Sequence, residues 1–393
     1  MCRACASAWS STAARSDAMI YLDNAATTRP DPAVLEAMAR AKEDYGNASS
    51  LHRLGVAAAK AVEKARAEVA EALQARPEEV VFTSGGTEAN NLALKGVLLA
   101  CGRRGGLVVS AIEHPSVLEP ARALGRCGWR LRLAAADPDG LVDPAAVAAA
   151  MDSRTVLVSV MHANNEVGTL QPLAEIGRLC RKRGVLFHTD ASQSFTKEPL
   201  EPRRLGADLV TLSGHKIHGP KGVGALYVRA GLKLEPLLHG GGQEAGRRAG
   251  TVNTPGVAGF ARAVELSGLD AWRVVAARRD HLQRRLAAAF PDAIFNGVAA
   301  ERVGGILSVT LAGVGAREVL QDLSARGICA SAGSACSSGD NAPSAVLLAL
   351  GLSPEAARST LRLSLGRTTT DEEVELLVAA LVEIVGRRRG GSA

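Results

Sequence analysis

Short apolar runs rich in β-branched residues alternate with helical patterns between residues 80 and 228, and this alternation restricts the fold more than any other feature. Seven runs look like strands, and they read VVFTS, LVVSA, LRLAA, TVLVSVM, VLFHTD, ADLVTLS and VGALYV. Between them, the stretches 88–99, 116–126 and 173–182 place apolar residues at helical spacing. Strands separated by helices favour crossover connections, so the sequence predicts an α/β protein with a mostly parallel seven-stranded sheet.

The pattern changes after residue 254. A helical stretch to about Phe290 precedes the strand-like run GILSVTL, a helix over 316–326 and the strand-like run STLRLSLG. We therefore expect a large domain over 19–254, whose first ~30 residues pack with a smaller α+β domain over 255–393. The Ser/Ala/Arg-rich residues 1–18 are expected to be a disordered extension, with Met19 as the functional start.

The charge balance does not point to nucleic acid. The net charge is +6, but the arginines are scattered and aromatic residues make up only 3% of the chain, too few for a base-stacking surface. A small anionic cofactor suits the same balance. No uninterrupted apolar run reaches the length of a membrane span, so no membrane association is expected.

The seven cysteines are an odd number spread unevenly over 393 residues, which argues against a disulfide framework. The chain is expected in a reducing, cytoplasmic compartment. No pair of Cys-x-x-Cys motifs or His-x-x-x-His motif has zinc spacing, so no metal is expected. Four cysteines lie on helical or strand-like patterns and are predicted to fill the core: Cys101, Cys127, Cys180 and Cys329.

Two features at the ends of predicted strands could hold an anionic ring cofactor. In TSGGTEANN (83–91), glycines separate a strand from a helix, which is typical of a phosphate cradle but also of a simple helix cap. Asp190 ends the buried run VLFHTD, where a lone carboxylate is costly unless it has a partner. It is either the N-cap of the next helix or the partner of a protonated heterocyclic nitrogen.

Two further features supply candidate nucleophiles. Lys216, in SGHKIHGPK, follows a predicted strand and lies beside His215, where burial and neighbouring cations would favour an uncharged amine. Lys221, between Pro220 and Gly222, has the surroundings of an ordinary loop lysine. Cys336 lies in the polar stretch SAGSACSSGDNAP (331–343), unlike a core cysteine, and is a candidate reactive thiol.

The chain places a phosphate cradle first, then an aspartate and then a lysine. This order is the layout of a pyridoxal phosphate enzyme of aminotransferase type. The chain resembles the cysteine desulfurases of the NifS/IscS group, in class V of the aminotransferases. The matching stretches are YLDNAATT (21–28), YGNASSLHRLG (45–55), VFTSGGTEANNLA (81–93), EHPSVL (113–118), MHANNEVGTLQP (161–172), HTDASQS (188–194), SGHKIHGPKGVGALYVR (213–229), RRAGT (247–251), SAGSACSSG (331–339) and LRLSLGR (361–367).

The resemblance implies fold type I of the pyridoxal phosphate enzymes and a role for each matched residue. It makes Lys216 the residue that holds the cofactor aldehyde, Asp190 the partner of the ring nitrogen and Gln193 the donor to the phenolic oxygen. His114 would stack on the ring and handle protons. The phosphate would be held by Gly86, Thr87, Ser213 and His215, with Thr251 from a second subunit; substrate contacts would be Asn47, Asn165 and Arg362; Cys336 would carry the persulfide.

The implied reaction converts L-cysteine to L-alanine and leaves the sulfur on Cys336. A homodimer is implied, as is a sulfur-acceptor protein, either an iron–sulfur scaffold or a sulfur carrier. Three alternatives of the same fold stay open, namely an aminotransferase, a C–S lyase and a selenocysteine lyase. A non-catalytic sulfur-transfer scaffold is a further alternative that Lys216 and Asp190 argue against.

The chain departs from the family pattern in three places, none of which removes a cofactor or nucleophile residue. Ala48 stands where proline is common, and Gln243 and Ala245 stand where histidine and arginine are usual. The stretch SFTK (194–197) replaces a more typical Ser-Val-Gly-Lys and introduces the bulky Phe195. These changes bear on substrate fit and partner docking rather than on the class of reaction.

Overall fold

The structure is a computed structural model that describes residues 19–102, 104–333 and 342–390, so the segments 1–18 and 334–341, with Cys336, lie outside it. In the described ranges the strands are β1 (Ile20–Tyr21), β2 (Val80–Thr83), β3 (Gly106–Ser110), β4 (Arg130–Ala134), β5 (Thr155–Ser159), β6 (Leu186–Asp190), β7 (Leu209–Ser213), β8 (Gly224–Val228), β9 (Ile294–Asn296), β10 (Ile306–Thr310), β11 (Ile328–Cys329) and β12 (Thr360–Ser364).

Helices precede and separate most of these strands. They are α1 (Pro32–Ala41), α2 (Arg53–Ala72), α3 (Gly86–Asn91), α4 (Val97–Ala100), α5 (Pro115–Arg126), α6 (Pro144–Ala150), α7 (Leu173–Lys182), α8 (Pro202–Leu205), α9 (Thr254–Glu265), α10 (Leu269–Ala289), α11 (Ala316–Ala325), α12 (Ala345–Ala349), α13 (Pro354–Arg358) and α14 (Asp371–Gly390). A π-helical stretch, Leu92–Gly96, joins α3 to α4, and 3-10 turns lie at Pro77–Glu79, Gly214–Lys216 and Gln243–Gly246. None of the helices in the described ranges combines the length and apolar character needed to cross a bilayer.

The predicted seven-stranded sheet is confirmed. Its order is β2-β8-β7-β6-β5-β3-β4, and β8 is antiparallel to β2 and β7 while the other neighbours are parallel. Every residue of β7 and β8 is buried, as expected for central strands covered on both faces. Because β2 to β7 all run in one direction, their carboxyl ends meet at one edge, where open α/β sheets bind ligands.

A second sheet, β12-β10-β9, is antiparallel and packs with α10, α11 and α14 around its own apolar core. The pairing of β1 with β11 is parallel and brings Ile20 and Leu22 into this second core. The helix predicted from 254 to about 290 is two helices, interrupted at residues 266–268. The first, α9, packs on α1 and α2 and adds Val257 and Phe260 to the core of the large sheet.

The cysteines correct one prediction. Cys180 is buried in α7, but Cys127 is exposed just after α5, so the expectation that it fills the core is wrong. Its position explains this, because Cys127 follows the last residue of an amphipathic helix, where the buried face has ended. Cys101 and Cys329 are half-buried, and the cysteines that the structure describes are free thiols.

Candidate active site

The residues predicted to carry chemistry lie at the carboxyl edge of the large sheet. Gly86 starts α3 directly after β2, His114 follows β3, and Asp190 is the last residue of β6. Lys216 closes the 3-10 turn that follows β7. Four separate strands thus direct these side chains to the same edge, although they are far apart in sequence.

Lys216 and Gln193 converge on one backbone carbonyl. The Lys216 Nζ donates to the oxygen of Ala25 at 2.5 Å and to that of Ala26 at 2.7 Å. The Gln193 Nε2 donates to the same Ala25 oxygen at 2.8 Å. The N-terminal segment is fixed to this turn because the Thr28 amide and hydroxyl both donate to the His215 carbonyl at 2.9 Å.

Asp190 is linked to His114 by a chain of hydrogen bonds. The Asp190 side chain accepts from the Asn90 Nδ2 at 2.7 Å and from the Ser192 amide at 2.9 Å. The Asn90 amide also donates to the Ser116 hydroxyl at 2.8 Å, which lies 2.7 Å from the His114 Nδ1. Asp190 is 5% exposed and Asn90 is fully buried, so water does not replace these contacts.

Two histidines of this region are mostly uncharged at neutral pH. They are His114, at the end of the hydrogen-bonded chain, and His215, the residue before Lys216. His114 caps α5, where its Nδ1 accepts from the Ser116 amide at 3.1 Å. Burial lowers the pKa of His114, and the charges of Lys216 and Arg362 lower it further against the opposing effect of Asp190. Burial and then the charge of Lys216 lower the pKa of His215 to about 4. At neutral pH both rings are therefore mostly uncharged.

Glu113 is a buried carboxyl that the sequence did not single out for chemistry. Its Oε1 accepts from the Ser110 hydroxyl at 2.7 Å and from the Met161 amide at 2.5 Å. Burial, followed by the charge of Asp190, raises the pKa of Glu113 to about 8. The group is therefore mostly protonated at neutral pH.

The glycine-rich turn after β2 lies against two serines. A Cβ on Gly86 would be 2.9 Å from the Ser192 hydroxyl and 3.6 Å from the Ser213 Cβ, so only glycine leaves this space open. The Ser213 hydroxyl and the Gln193 Oε1 are buried, and within the described residues neither has a hydrogen-bond partner. Thr87 is exposed on the first turn of α3.

Two ion pairs tie the loop of residues 229–253 to this part of the sheet. Glu244 accepts from the Arg66 guanidinium at 2.7 and 2.8 Å and from the Phe82 amide at 2.8 Å. The Arg248 Nε lies 2.8 Å from the Glu88 Oε1. Thr251, three residues further along, is exposed.

Arg362 is 2% exposed, and its guanidinium is held by two hydrogen bonds. Its Nη2 donates to the Asp23 Oδ1 at 2.9 Å, and its Nη1 donates to the Asn165 carbonyl at 3.0 Å. Its Nε is buried and has no partner among the residues that the structure describes. The charge of Arg362 also lowers the pKa of His114.

Two predicted residues are not brought into this cluster by contacts in the structure. Asn47 is exposed, and its Oδ1 accepts from the Ser49 amide at 2.9 Å within its own loop. Cys336 lies in the undescribed segment 334–341. Within the described ranges, no group of three or more His, Cys, Asp or Glu residues is arranged to hold a metal ion.

Sequence reasoning missed Asn90, Ser116 and Asp23 as parts of the site. Asn90 and Asp23 lie in matched stretches, but nothing in the sequence shows that their partners are Asp190 and Arg362, 100 and 339 residues away. Ser116 also lies in a matched stretch, EHPSVL, but its pattern is only that of an early helical residue. The one usable sign in the sequence was Asn90 itself, because it is a polar residue on a helix face that the pattern predicts to be buried.

Comparison with known proteins identifies relatives along almost the whole chain. Residues 20–377 match the family described as aminotransferase class V. A cysteine desulfurase IscS from Anaeromyxobacter sp. is 45% identical over 379 residues, covering 94% of this chain and 93% of the relative. A solved NifS-like protein has a TM-score of 0.88 at 36% identity, covering 94% of this chain and all of that one. A structure of SspA in complex with cysteine has a TM-score of 0.80 at 36% identity, covering 89% and 100%.

Proposed function

This chain belongs to the cysteine desulfurases of the aminotransferase class V family, and we propose that it binds pyridoxal 5′-phosphate at the sheet edge and takes sulfur from L-cysteine onto Cys336. The reaction releases L-alanine. The sulfur then passes to an acceptor protein, either an iron–sulfur scaffold or a sulfur carrier.

The observation that carries the cofactor proposal is the environment of Asp190. Among the residues that the structure describes, this buried carboxylate accepts hydrogen bonds from the Asn90 side-chain amide and the Ser192 backbone amide, and neither donor is charged. A buried anion with only neutral donors is costly unless a cation completes its surroundings. A protonated pyridine nitrogen is such a cation, and Asp190 would hold it in that form.

The other groups at this edge also suit the cofactor. The Ser213 hydroxyl and the Gln193 Oε1 are buried polar atoms without partners among the described residues, and Gly86 leaves room that a side chain would fill. We propose that Gly86, Thr87, Ser213 and His215 hold the phosphate, and that Gln193 contacts the phenolic oxygen. Ser213 would then find its missing partner in the phosphate oxygens.

When bound, pyridoxal phosphate supplies an aldehyde that condenses with amines and a protonated ring that stabilises negative charge at the substrate Cα. The protein supplies the remaining groups. Lys216 would hold the aldehyde, and its Nζ, when released, would remove the Cα proton of the substrate. His114 would pack on the ring, and because burial lowers its pKa it would be neutral and could take and return a proton at a ring nitrogen.

Substrate binding is assigned to Arg362, with Asn165 and Asn47. Arg362 would donate hydrogen bonds to the carboxylate of L-cysteine from its Nε, which has no partner among the described residues, and from an Nη group. The two groups would form a charge-assisted pair. Cys336 then forms a bond between its Sγ and the substrate sulfur as the substrate C–S bond breaks. An aminotransferase, a C–S lyase or a selenocysteine lyase would share Lys216 and Asp190 but would not need Cys336.

The assembly and location are also proposals. A homodimer is supported by Thr251, which is exposed on a loop fixed by the Glu88–Arg248 pair and would reach the phosphate of a second subunit. A cytoplasmic location is supported by the free thiols at Cys101, Cys127, Cys180 and Cys329.

The decisive experiment follows L-cysteine through the purified protein without reductant. Alanine is quantified, the visible absorption band of the cofactor is recorded, and added sulfur is mapped by mass spectrometry. We expect one extra sulfur on Cys336 for each alanine formed, and loss of both products in Cys336→Ala and Lys216→Ala. Cys127→Ala, which removes an exposed thiol outside the matched stretches, is the matched control and should react normally.

Three results would redirect the assignment. A protein without the visible band would refute the cofactor proposal. Alanine formed equally well by Cys336→Ala would refute the persulfide step and favour a lyase. Activity of Cys336→Ala confined to selenocysteine would favour the selenocysteine lyase instead.

A further inference from the structure

Besides the half-buried Lys216, the described part of the chain contains a lysine that is almost completely buried. Lys197 follows β6 by seven residues and is only 7% exposed. Its Nζ lies 4.5 Å from the centroid of the Trp272 ring, a distance at which an ammonium is attracted to the face of the ring. Lysines are rarely buried without such a partner, so this contact explains how the side chain is accommodated.

The lysine and the ring are fixed relative to each other. The Trp272 Nε1 donates to the Ser267 hydroxyl at 3.1 Å, and that hydroxyl lies 2.7 Å from the hydroxyl of Thr196, the residue before Lys197. The Lys197 amide donates to the Ser194 carbonyl at 2.9 Å. The backbone of Lys197 and the ring beneath its Nζ therefore belong to one hydrogen-bonded unit, which holds the amine inside the protein.

The charge of Lys197 acts on the turn that carries Lys216. Burial, and then the charge of Lys216, lowers the pKa of Lys197 to about 7 against the opposing charge of Glu198, so the amine carries its charge mainly at and below neutral pH. The same lysine contributes to the lowered pKa of His215 and of His218, the residues on either side of Lys216 and Ile217. The geometry agrees, because the Trp272 ring that contacts the Lys197 Nζ also lies 6.3 Å from the His218 ring, centroid to centroid.

We propose that Lys197 is a positioning residue whose buried charge, held on the Trp272 ring, disfavours proton binding at the nitrogen of Lys216. The inference rests on the proposed function, in which Lys216 holds the cofactor aldehyde. Two cations that share a dry site repel each other, and an adjacent cation is one of the ways in which proteins obtain an uncharged, nucleophilic amine.

The titratable groups that face Lys197 lie in the turn after β7 and in its own segment, while α10 contributes an uncharged contact. The turn after β7 contributes Lys216, His215 and His218, and Glu198 follows Lys197 in the chain. From α10 the contact is the uncharged Trp272. Because Glu198 is the one opposing charge in this set, removal of the Lys197 charge should favour a proton on Lys216.

The test is a pH titration of the visible absorption band of the holoenzyme, which reports proton binding at the nitrogen that Lys216 shares with the cofactor. Lys197→Met removes the charge and keeps the length of the side chain. Lys197→Arg keeps a permanent charge that can also stack on Trp272. We expect the midpoint to rise by about 0.5 pH unit or more in the Met variant. In the Arg variant it should stay at or below the wild-type value.

Lys182→Met is the control, because Lys182 is exposed at the end of α7, and its midpoint should match the wild type. An unchanged midpoint in Lys197→Met, or an equal rise in the Met and Arg variants, would overturn the proposal. If the Met variant does not fold, Lys197→Gln provides the neutral side chain, with thermal unfolding as the check. A wild-type protein without any band would instead refute the proposed function itself.

Discussion

The Nη2 of Arg362 lies 2.9 Å from the Oδ1 of Asp23, although the two residues are 339 positions apart in the chain. Arg362 is almost completely buried, whereas the Asp23 side chain is 22% exposed. The carboxylate thus neutralises an internal guanidinium from the side that water can still reach. This pair maintains the orientation of the arginine before any substrate carboxylate arrives.

Replacement of Asp23 by Asn should lower the free energy of unfolding by about 3 kcal/mol, because a buried guanidinium loses its counter-ion. Urea unfolding measures the change. Asp270→Asn is the control, since the Asp270 side chain is 92% exposed in its pair with Arg273, and it should have little effect. Equal losses in the two variants would show that the Asp23–Arg362 pair adds no stability.

The Asn90 side chain should be required for tight cofactor binding. In Asn90→Ala, the Asp190 Oδ2 loses a donor 2.7 Å away, and Ser116 loses one at 2.8 Å. A buried acceptor left without its donor costs about 1 to 3 kcal/mol, so the affinity for pyridoxal phosphate should fall about tenfold or more. Titration of the apoprotein, followed by absorbance, measures this affinity.

The neighbouring Asn91 offers a matched control. It belongs to the same helix, but its Nδ2 donates to the Thr87 carbonyl at the exposed surface. Asn91→Ala should bind the cofactor as the wild type does. If both asparagines had the same effect, the loss would reflect the helix rather than the contact with Asp190.

The fold was largely predictable because its strands are long, apolar and bounded by polar turns. All seven predicted runs are strands of the large sheet, and α7 has the predicted bounds. The stretch 88–99 is less regular than predicted, since a π-helical stretch interrupts it where a Cβ on Gly96 would be 2.9 Å from the Glu235 carbonyl. Periodicity cannot show such a close approach between distant segments, nor a strand as short as β1.

Thr196 has a φ of 62°, in the region that β-branched residues rarely adopt, at the position where the family typically has glycine. Its hydroxyl contact with Ser267 partly offsets the strain. Thr196→Gly should therefore lie within about 1 kcal/mol of the wild type in urea unfolding, because relief of strain balances the lost hydrogen bond. Thr196→Val keeps the strained backbone, loses the bond and should be less stable than the glycine variant. The reverse order would show that the backbone is not strained.

Glu113 should make the protein less stable as the pH rises toward 8. Its pKa is about 8 in the folded protein and near the ordinary value of 4.5 in the unfolded chain. Unfolding between these pH values releases a proton, so the free energy of unfolding falls as the pH increases through this window. In Glu113→Gln, the melting temperature should fall less between pH 5 and pH 8. Glu119→Gln, on the exposed side of α5, should retain the wild-type slope.

The sequence predicts only those residues of the candidate site that lie in recognisable motifs. Lys216 and Asp190 were found because each lies at the end of a predicted strand, and His114 was found only through its matched stretch. The carbonyls of Ala25 and Ala26, which receive the Lys216 amine, carry no side-chain signal. Lys197 was overlooked because burial next to Trp272 depends on a contact between segments 75 residues apart, which spacing along one segment does not reveal.

The pairing of β1 with β11 also determines when the site can form during synthesis. Residues 20–28 leave the ribosome long before their partners at residues 327–329 and 362–364. Contacts between such distant parts of a chain carry a high loop-closure cost, so they form late in folding. The carbonyls that receive Lys216 and the carboxylate that pairs with Arg362 are therefore placed only after residues 362–364 have been made. A nascent chain that stops before these residues contains every strand of the large sheet but cannot complete the active site.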